Sequence, residues 1–207
     1  MKPCLYIALI LSVMNGCVQY DVIDTGLAQK NHDCPMWEYF HTDAYNWDSV
    51  IVAIEHAGLR DLFEGKNPDY PQITFFGMTN YSVKHFLMHT KDGTGKQKYN
   101  NIQEIPREEC RRMILCHVLK GRYTQDYFDY EIKNTLKGGT EMTTLTGIKL
   151  RVYRTTSSFN DVQDIGPEGL GIHALASGLM ARVASSDIQT QTGIVHSLTY
   201  DYEWTEL

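Results

Sequence analysis

The 207-residue chain has no basic stripe: 19 lysines and arginines stand against 25 aspartates and glutamates, a net charge of -6. Nucleic-acid binding proteins cluster cations to displace counterions from phosphates, so a nucleic-acid partner is excluded. The densest basic stretch, Lys84 to Lys98, scatters its lysines around a glycine-rich turn and reads as a solvated loop. There is no C-x-x-C, which leaves thioredoxin-type and zinc-ribbon chemistry without support. There is no G-x-S-x-G, so the sharp nucleophile turn of a serine hydrolase is missing. "GTGK" at 93–96 lacks the earlier glycine of a phosphate loop, and Gln97 stands where a magnesium-binding hydroxyl belongs. His85 and His89 have helical metal-ligand spacing, but Phe86 occupies the place of a zincin glutamate and no third ligand is indicated. No metal site and no cofactor are therefore expected. Internal repeats and low-complexity tracts are also missing, and beyond the N-terminus no apolar run is long enough to span a bilayer.

What is present starts with a targeting signal. Lys2 supplies a positive charge, and Leu5 to Val13 form an apolar run too short for a membrane helix. "SVMNGC" follows, with Gly16 directly before Cys17. It resembles the lipobox of bacterial lipoproteins, in which the cysteine becomes the acylated N-terminus; Asn15 departs from the usual small residue. An ordinary signal peptide is the alternative. Residues 1–16 are thus expected as signal, 17–35 as a lipidated, flexible tether, and 36–207 as one domain. Export leaves Cys34, Cys110 and Cys116, an odd count that is not a disulfide framework. Free buried thiols, or a bridge from Cys34 to Cys110 or Cys116, are both open.

The chain then reads as helices followed by strands, an α+β order. "YNWDSVIVAIEHAG" has helical apolar spacing, with Asp43 or Asn46 as cap and Gly58 as stop. A short helix carries Leu59, Leu62 and Phe63. "QITFFGMT" is a buried strand, and Asn80 is expected to cap the helix "YSVKHFL". After Pro106, the positions Cys110, Met113, Ile114, His117 and Val118 form one apolar stripe, predicting a helix that runs to Gly121. "GGTEMTTLTGIKLRVYRT" reads as two strands around Gly147, and further strands follow.

The last of these, "GIVHSLTYDYEW" at 193–204, alternates with a period of two. His196 is the foreign residue on its apolar side, as His117 is on the helical stripe. A buried polar group without a partner costs about 1–3 kcal/mol, so each ring needs hydrogen bonds if it lies inside. Tyrosine is abundant, thirteen against seven phenylalanines, and clusters at 39–45, 123–130 and 200–202. Its ring supplies apolar area and its hydroxyl a polar tip, which suits contact with protein or glycan.

In order, these segments resemble the fasciclin domain family. "TFFGMTNYSVKHFL" fills the first motif, with Thr79 and Asn80 in place. "ILCHVLKGRY" matches the middle motif, with Cys116 where tyrosine is usual before His117. "TTLTGIKLRVYRT" matches the next, and "SSDIQTQTGIVHSL" the last, through Asp187, Gly193 and His196, with Thr192 in place of asparagine. The resemblance covers about 36–207, with extra loops near 64–72, 90–106 and 156–172. It implies an α+β wedge of two small packed β-sheets with helices covering one end. It also implies that the first and last motifs adjoin in the core, so that Thr79, Asn80 and His196 are hydrogen-bonding neighbours. Cys116 and His117 are the candidate ligand contacts, because the family's corresponding pair is linked to adhesion.

No motif of the family defines a catalytic centre, and its members act mainly in extracellular adhesion. The expectation is a non-enzymatic binding module for an extracellular protein or glycan. It would be exported and lipid-anchored through Cys17 in the bacterial envelope, at the outer membrane or cell surface. A docking subunit of an envelope complex is the alternative, followed by a hydrolase using His117 or His196.

Overall fold

The computed structural model describes residues 29–160, 162 and 164–207. The expected signal, Cys17 and the tether up to residue 28 lie outside these. Helices come first: α1 (Met36–His41), α2 (Ala44–His56) and α3 (Arg60–Phe63) precede strand β1 (Ile73–Gly77). Helix α4 (Asn80–His89) and helix α5 (Arg107–Leu115) follow, then β2 (Val118–Lys120), β3 (Thr140–Thr143), β4 (Lys149–Thr156), β5 (Glu168–Ala174), β6 (Met180–Thr190) and β7 (Gly193–Leu198). Among the described residues no helix is long and apolar enough to cross a membrane.

The strands form one seven-stranded sheet in the order β2-β1-β7-β6-β5-β4-β3, where two small sheets were expected. Strand β6 is the reason. Its first residues pair with β5, Ala181 opposite Ile172, and its later residues pair with β7, Ile188 opposite Val195. The register shifts between Val183 and Ile188, so β6 bends and serves both halves. At the far edges, the Leu145 amide donates to the Val118 carbonyl at 2.9 Å, which nearly closes the sheet into a barrel.

β1 and β7 are parallel, with Phe76 opposite His196, and every residue of both strands is buried. Central strands covered on both faces keep apolar residues on both sides, so the half-buried reading of 193–204 is corrected. β7 ends at Leu198; Tyr200 is exposed, while Tyr202 and Trp204 are buried in the tail beyond it. On the helical face Phe75 meets Phe40 and Phe63 at centroid distances of 6.0 and 5.1 Å, and Phe40 packs on Trp47 at 4.9 Å. On the other face Phe76 stacks on His196 at 5.4 Å.

Local chemistry sets the helix ends. The Asp43 side chain accepts from the Asn46 amide and caps α2; Gly58 follows that helix at φ +65°. Thr79, not Asn80, is the N-cap of α4, and its amide donates to Ser82 Oγ at 3.2 Å. Asn80 instead ties two helices: its amide donates to the Ala44 and Tyr45 carbonyls, and its oxygen accepts from the Ser49 amide at 2.7 Å. Helix α5 stops at Leu115, short of the expected Gly121. By His117 the backbone has joined the sheet edge, since its carbonyl accepts from the Phe76 amide at 2.9 Å.

The chain before Met36 is also engaged. The Gln189 amide donates to the Lys30 carbonyl and the His32 amide to the Gln189 carbonyl, each at 2.8 Å. Residues 30–34, expected as the end of the tether, are therefore strapped along the end of β6. Thr192 fixes the next step by accepting from the Met36 amide and donating to the Phe63 carbonyl. Gly193 sits at φ +151°, where a Cβ would lie 1.9 Å from the Ile73 carbonyl oxygen. Only glycine admits that approach of β7 to β1.

Candidate functional site

His196 is 0% exposed. Its Nδ1 accepts from the Asp187 amide at 3.2 Å, and its Nε2 lies 3.0 Å from the Tyr123 carbonyl, to which it donates. Burial lowers its pKa to about 4, against the opposing pull of the Tyr123 carbonyl and the Asp187 carboxylate. The ring is held neutral with both nitrogens engaged. Thr79 and Asn80, the expected neighbours, are not its partners, because they turn into α4 on the helical side. The partners come from the 121–128 segment and from β6, where Asp187 adopts φ +60°. The Asp187 carboxylate is not a hydrogen-bond partner of the ring; it accepts from the Gln125 amide at 2.6 Å and pairs with Lys30 at 3.1 Å.

His117 is also 0% exposed. Its Nδ1 donates to the Met113 carbonyl at 2.8 Å, and its Nε2 accepts from the Tyr202 hydroxyl at 2.6 Å. Burial lowers its pKa to about 4, with the Met113 carbonyl opposing. The same carbonyl accepts from Trp204 Nε1 at 3.2 Å, so the end of α5 holds both the His117 ring and the Trp204 indole. Cys116 packs beside the ring, and burial pushes its thiol up to about 12, as it does for Cys110. Cys34, Cys110 and Cys116 are free thiols. Cys116 and His117, the expected ligand contacts, have no exposed surface, so neither presents itself to a ligand in this structure.

This chemistry is structural. A neutral imidazole with both nitrogens bonded has no lone pair left for a substrate or a metal. A thiol with a pKa near 12 is not a nucleophile at neutral pH. Ser186, Asp187 and His196 form no relay, since Ser186 Oγ donates to Gln125 Oε1 at 2.7 Å. His85 and His89 stack at 5.6 Å, and His89 Nδ1 is 2.7 Å from Glu203. Among the described residues no three His, Cys, Asp or Glu side chains gather into a metal-holding group.

The surface is more informative. Tyr45 opens α2, Tyr81 opens α4 and Tyr200 follows β7, yet the fold brings the three together. The ring centroids of Tyr45 and Tyr81 are 6.3 Å apart, and those of Tyr81 and Tyr200 are 5.4 Å apart. The Tyr200 hydroxyl donates to Asn46 Oδ1 at 3.1 Å, and the three side chains are 66%, 40% and 51% exposed. The sequence flags the 39–45 and 200–202 clusters, but Tyr81 stands alone in it; only the approach of α4 to α2 reveals the group. Nearby, a cleft of about 700 Å³ runs between β6 and the C-terminal tail, lined by Tyr153, Met180, Arg182, Asp201, Tyr202 and Glu203.

No curated protein matches the chain. Among solved structures, a FAS1 domain pair from the insect cell adhesion molecule Fasciclin I is similar at 13% identity and a TM-score of 0.43, over 79% of this chain. The chain spans 44% of that two-domain chain. The family model of the fasciclin domain matches residues 46–199. The match takes in the β1–α4 motif, the His117 turn and the Gly193–His196 strand, and the chain belongs to the fasciclin domain family.

Proposed function

We propose that the chain is a surface-anchored, non-enzymatic binding module that recognises an extracellular protein or glycan. Fasciclin domains are in general adhesion or binding modules. The observation that carries the reading here is the exposed Tyr45–Tyr81–Tyr200 group. Rigid aromatic rings with hydroxyl tips give large contact area at low entropic cost, which is the chemistry of recognition surfaces. The buried histidines and thiols support the non-enzymatic half, since each is already committed to the fold.

The anchor is Cys17, acylated after removal of residues 1–16, with the domain in the bacterial envelope at the outer membrane or cell surface. The test is a pull-down from intact envelopes with the wild-type domain and with the Tyr81→Ala variant, both verified as folded. Recovery of an envelope protein or glycan by the wild type, and its loss from the variant, supports the reading. Equal recovery by both removes the tyrosine group from it. Turnover of a small substrate with no envelope ligand overturns it. One stoichiometric partner after mild cross-linking identifies a docking subunit instead.

A further inference from the structure

Four buried side-chain nitrogens lack a hydrogen-bond partner among the described residues, and two of them, Arg151 Nε and His173 Nδ1, belong to direct neighbours. Arg151 on β4 stands opposite His173 on β5 in the antiparallel register. Alternation puts both on the outer face of the sheet, because Leu150, Val152, Ile172 and Ala174 fill the core on the other. Arg151 is 4% exposed and His173 8%.

A covered arginine normally meets a carboxylate, since a buried charge without a counter-charge is costly. Arg154, three residues on, pairs with Asp126 and Glu168, whereas Arg151 forms no ion pair among the described residues. Arg151 Nη1 donates to the Lys137 and Gly138 carbonyls at 3.1 and 3.3 Å, and its Cζ lies 4.1 Å from the Tyr153 ring centroid. These contacts fix the guanidinium in place. They leave Nε without an acceptor and the charge without an anion.

The surroundings are cationic in a chain of net charge -6. The same face carries Lys149 on β4 and Arg182 on β6, the latter opposite Gly171, which Tyr153 also faces. Three carboxylates border the face: Glu141 opposite Arg151 on β3, Glu131 on the hairpin beside β4, and Asp201 on the tail. Glu131 acts on Tyr153 and Asp201 faces the charge of Arg182, so neither serves Arg151. Burial, and then the Arg151 charge, hold His173 below its ordinary pKa. The ring is therefore neutral at neutral pH, with one nitrogen carrying a proton to donate.

We propose that Arg151 and His173 form an oxyanion site on the outer face of β4 and β5, donating from Arg151 Nε and His173 Nδ1 to a carboxylate, sulfate or phosphate group. Charge-assisted bonds from a guanidinium are the strong ones in anion recognition. Met180, opposite His173 on β6, is 57% exposed, and its flexible side chain yields to admit the ion. A free ion and an acidic sugar carry the same group. The site goes beyond the binding-module reading and is independent of the Tyr45–Tyr81–Tyr200 surface.

The test titrates the full chain with sodium sulfate in the millimolar range, at ionic strength held constant with sodium chloride, and follows the His173 ring by NMR. The expected result is a saturable shift of the His173 resonances and a rise in its pKa, because a bound anion opposes the Arg151 charge. Arg151→Gln weakens sulfate binding about tenfold or more. His173→Gln removes a ring whose Nδ1 bonds nothing, and it weakens binding in a protein that stays folded. A second arm uses glucuronate and a sulfated disaccharide. Tighter binding of either names an acidic sugar as the source, and binding no tighter than sulfate names the free ion. A wild-type His173 that shifts saturably with none of these probes overturns the proposal. So does an affinity unchanged in both variants. Neither result alters the outcome of the envelope pull-down.

Discussion

The Tyr202 hydroxyl donates to His117 Nε2 across 2.6 Å, with both side chains buried. The bond joins the turn after α5 to the C-terminal tail and closes the core at that end. His117→Phe leaves the Tyr202 proton without its acceptor. The expected loss is about 1–3 kcal/mol in denaturant unfolding. His117→Phe combined with Tyr202→Phe recovers part of that loss, because neither partner is then stranded. A double variant as unstable as the sum of the single ones refutes the pairing.

Both buried histidines make the protein acid-sensitive. Their folded pKa values are about 4, below the value near 6.5 of an unfolded histidine. Below that value the unfolded chain binds protons that the folded chain refuses. Stability is therefore full above about pH 6.5, falls as the pH drops toward 4, and loses nothing further from these groups below that. The loss is on the order of 3 kcal/mol per ring. Unfolding midpoints measured from pH 7.5 to 4 read this directly, and His196→Gln flattens the slope. A profile independent of pH over that range removes the assignment.

Gly193→Ala places a methyl group against the Ile73 carbonyl in a backbone conformation that alanine resists. It parts the two central strands, and the expected destabilisation exceeds about 4 kcal/mol. Gly95→Ala is the comparison, since it shares the left-handed strain at φ +81° while a Cβ there meets nothing within 4 Å, so the difference between the two reads the close approach alone. A thermal melt of Gly193→Ala within a few degrees of wild type sinks the close-approach argument.

Asp187 holds a left-handed conformation, accepts from Gln125 and positions its own amide for His196. Asp187→Asn keeps the conformational tolerance and an acceptor, so it costs little. Asp187→Ala loses both, and about 1–3 kcal/mol is expected. Equal stability of the two variants contradicts this role.

Cys17→Ala releases the protein from the membrane fraction if the cysteine carries the lipid. Retention in the membrane pellet after an alkaline wash disproves the anchor.

The sequence makes the fold legible where the chain signals itself locally. Asp43 caps α2, Gly58 follows it, and Gly147 lies between β3 and β4. It misleads where tertiary burial imitates a period. Val118 continues the stripe of α5 only because it is buried as a strand residue opposite Phe75. Tyr202 and Trp204 extend the alternation of β7 because the tail is buried too, and the Trp204 amide reaches the Ser82 carbonyl instead of a neighbouring strand. His117 and His196 stand out as polar residues on apolar patterns. Three of their four partners do not, because Met113 and Tyr123 contribute backbone carbonyls and Asp187 a backbone amide, which carry no sequence mark; the fourth, the Tyr202 hydroxyl, lies in the 200–202 tyrosine cluster.

The parallel pairing of β1 with β7 sets an order on folding. The helices pack over a strand whose inner neighbour lies far downstream, so the first half of the domain lacks its central partner until residue 198 is available. Pairings between distant segments are slow to form and cannot begin early. A chain wired this way completes its core only once β7 and the tail beyond it have arrived.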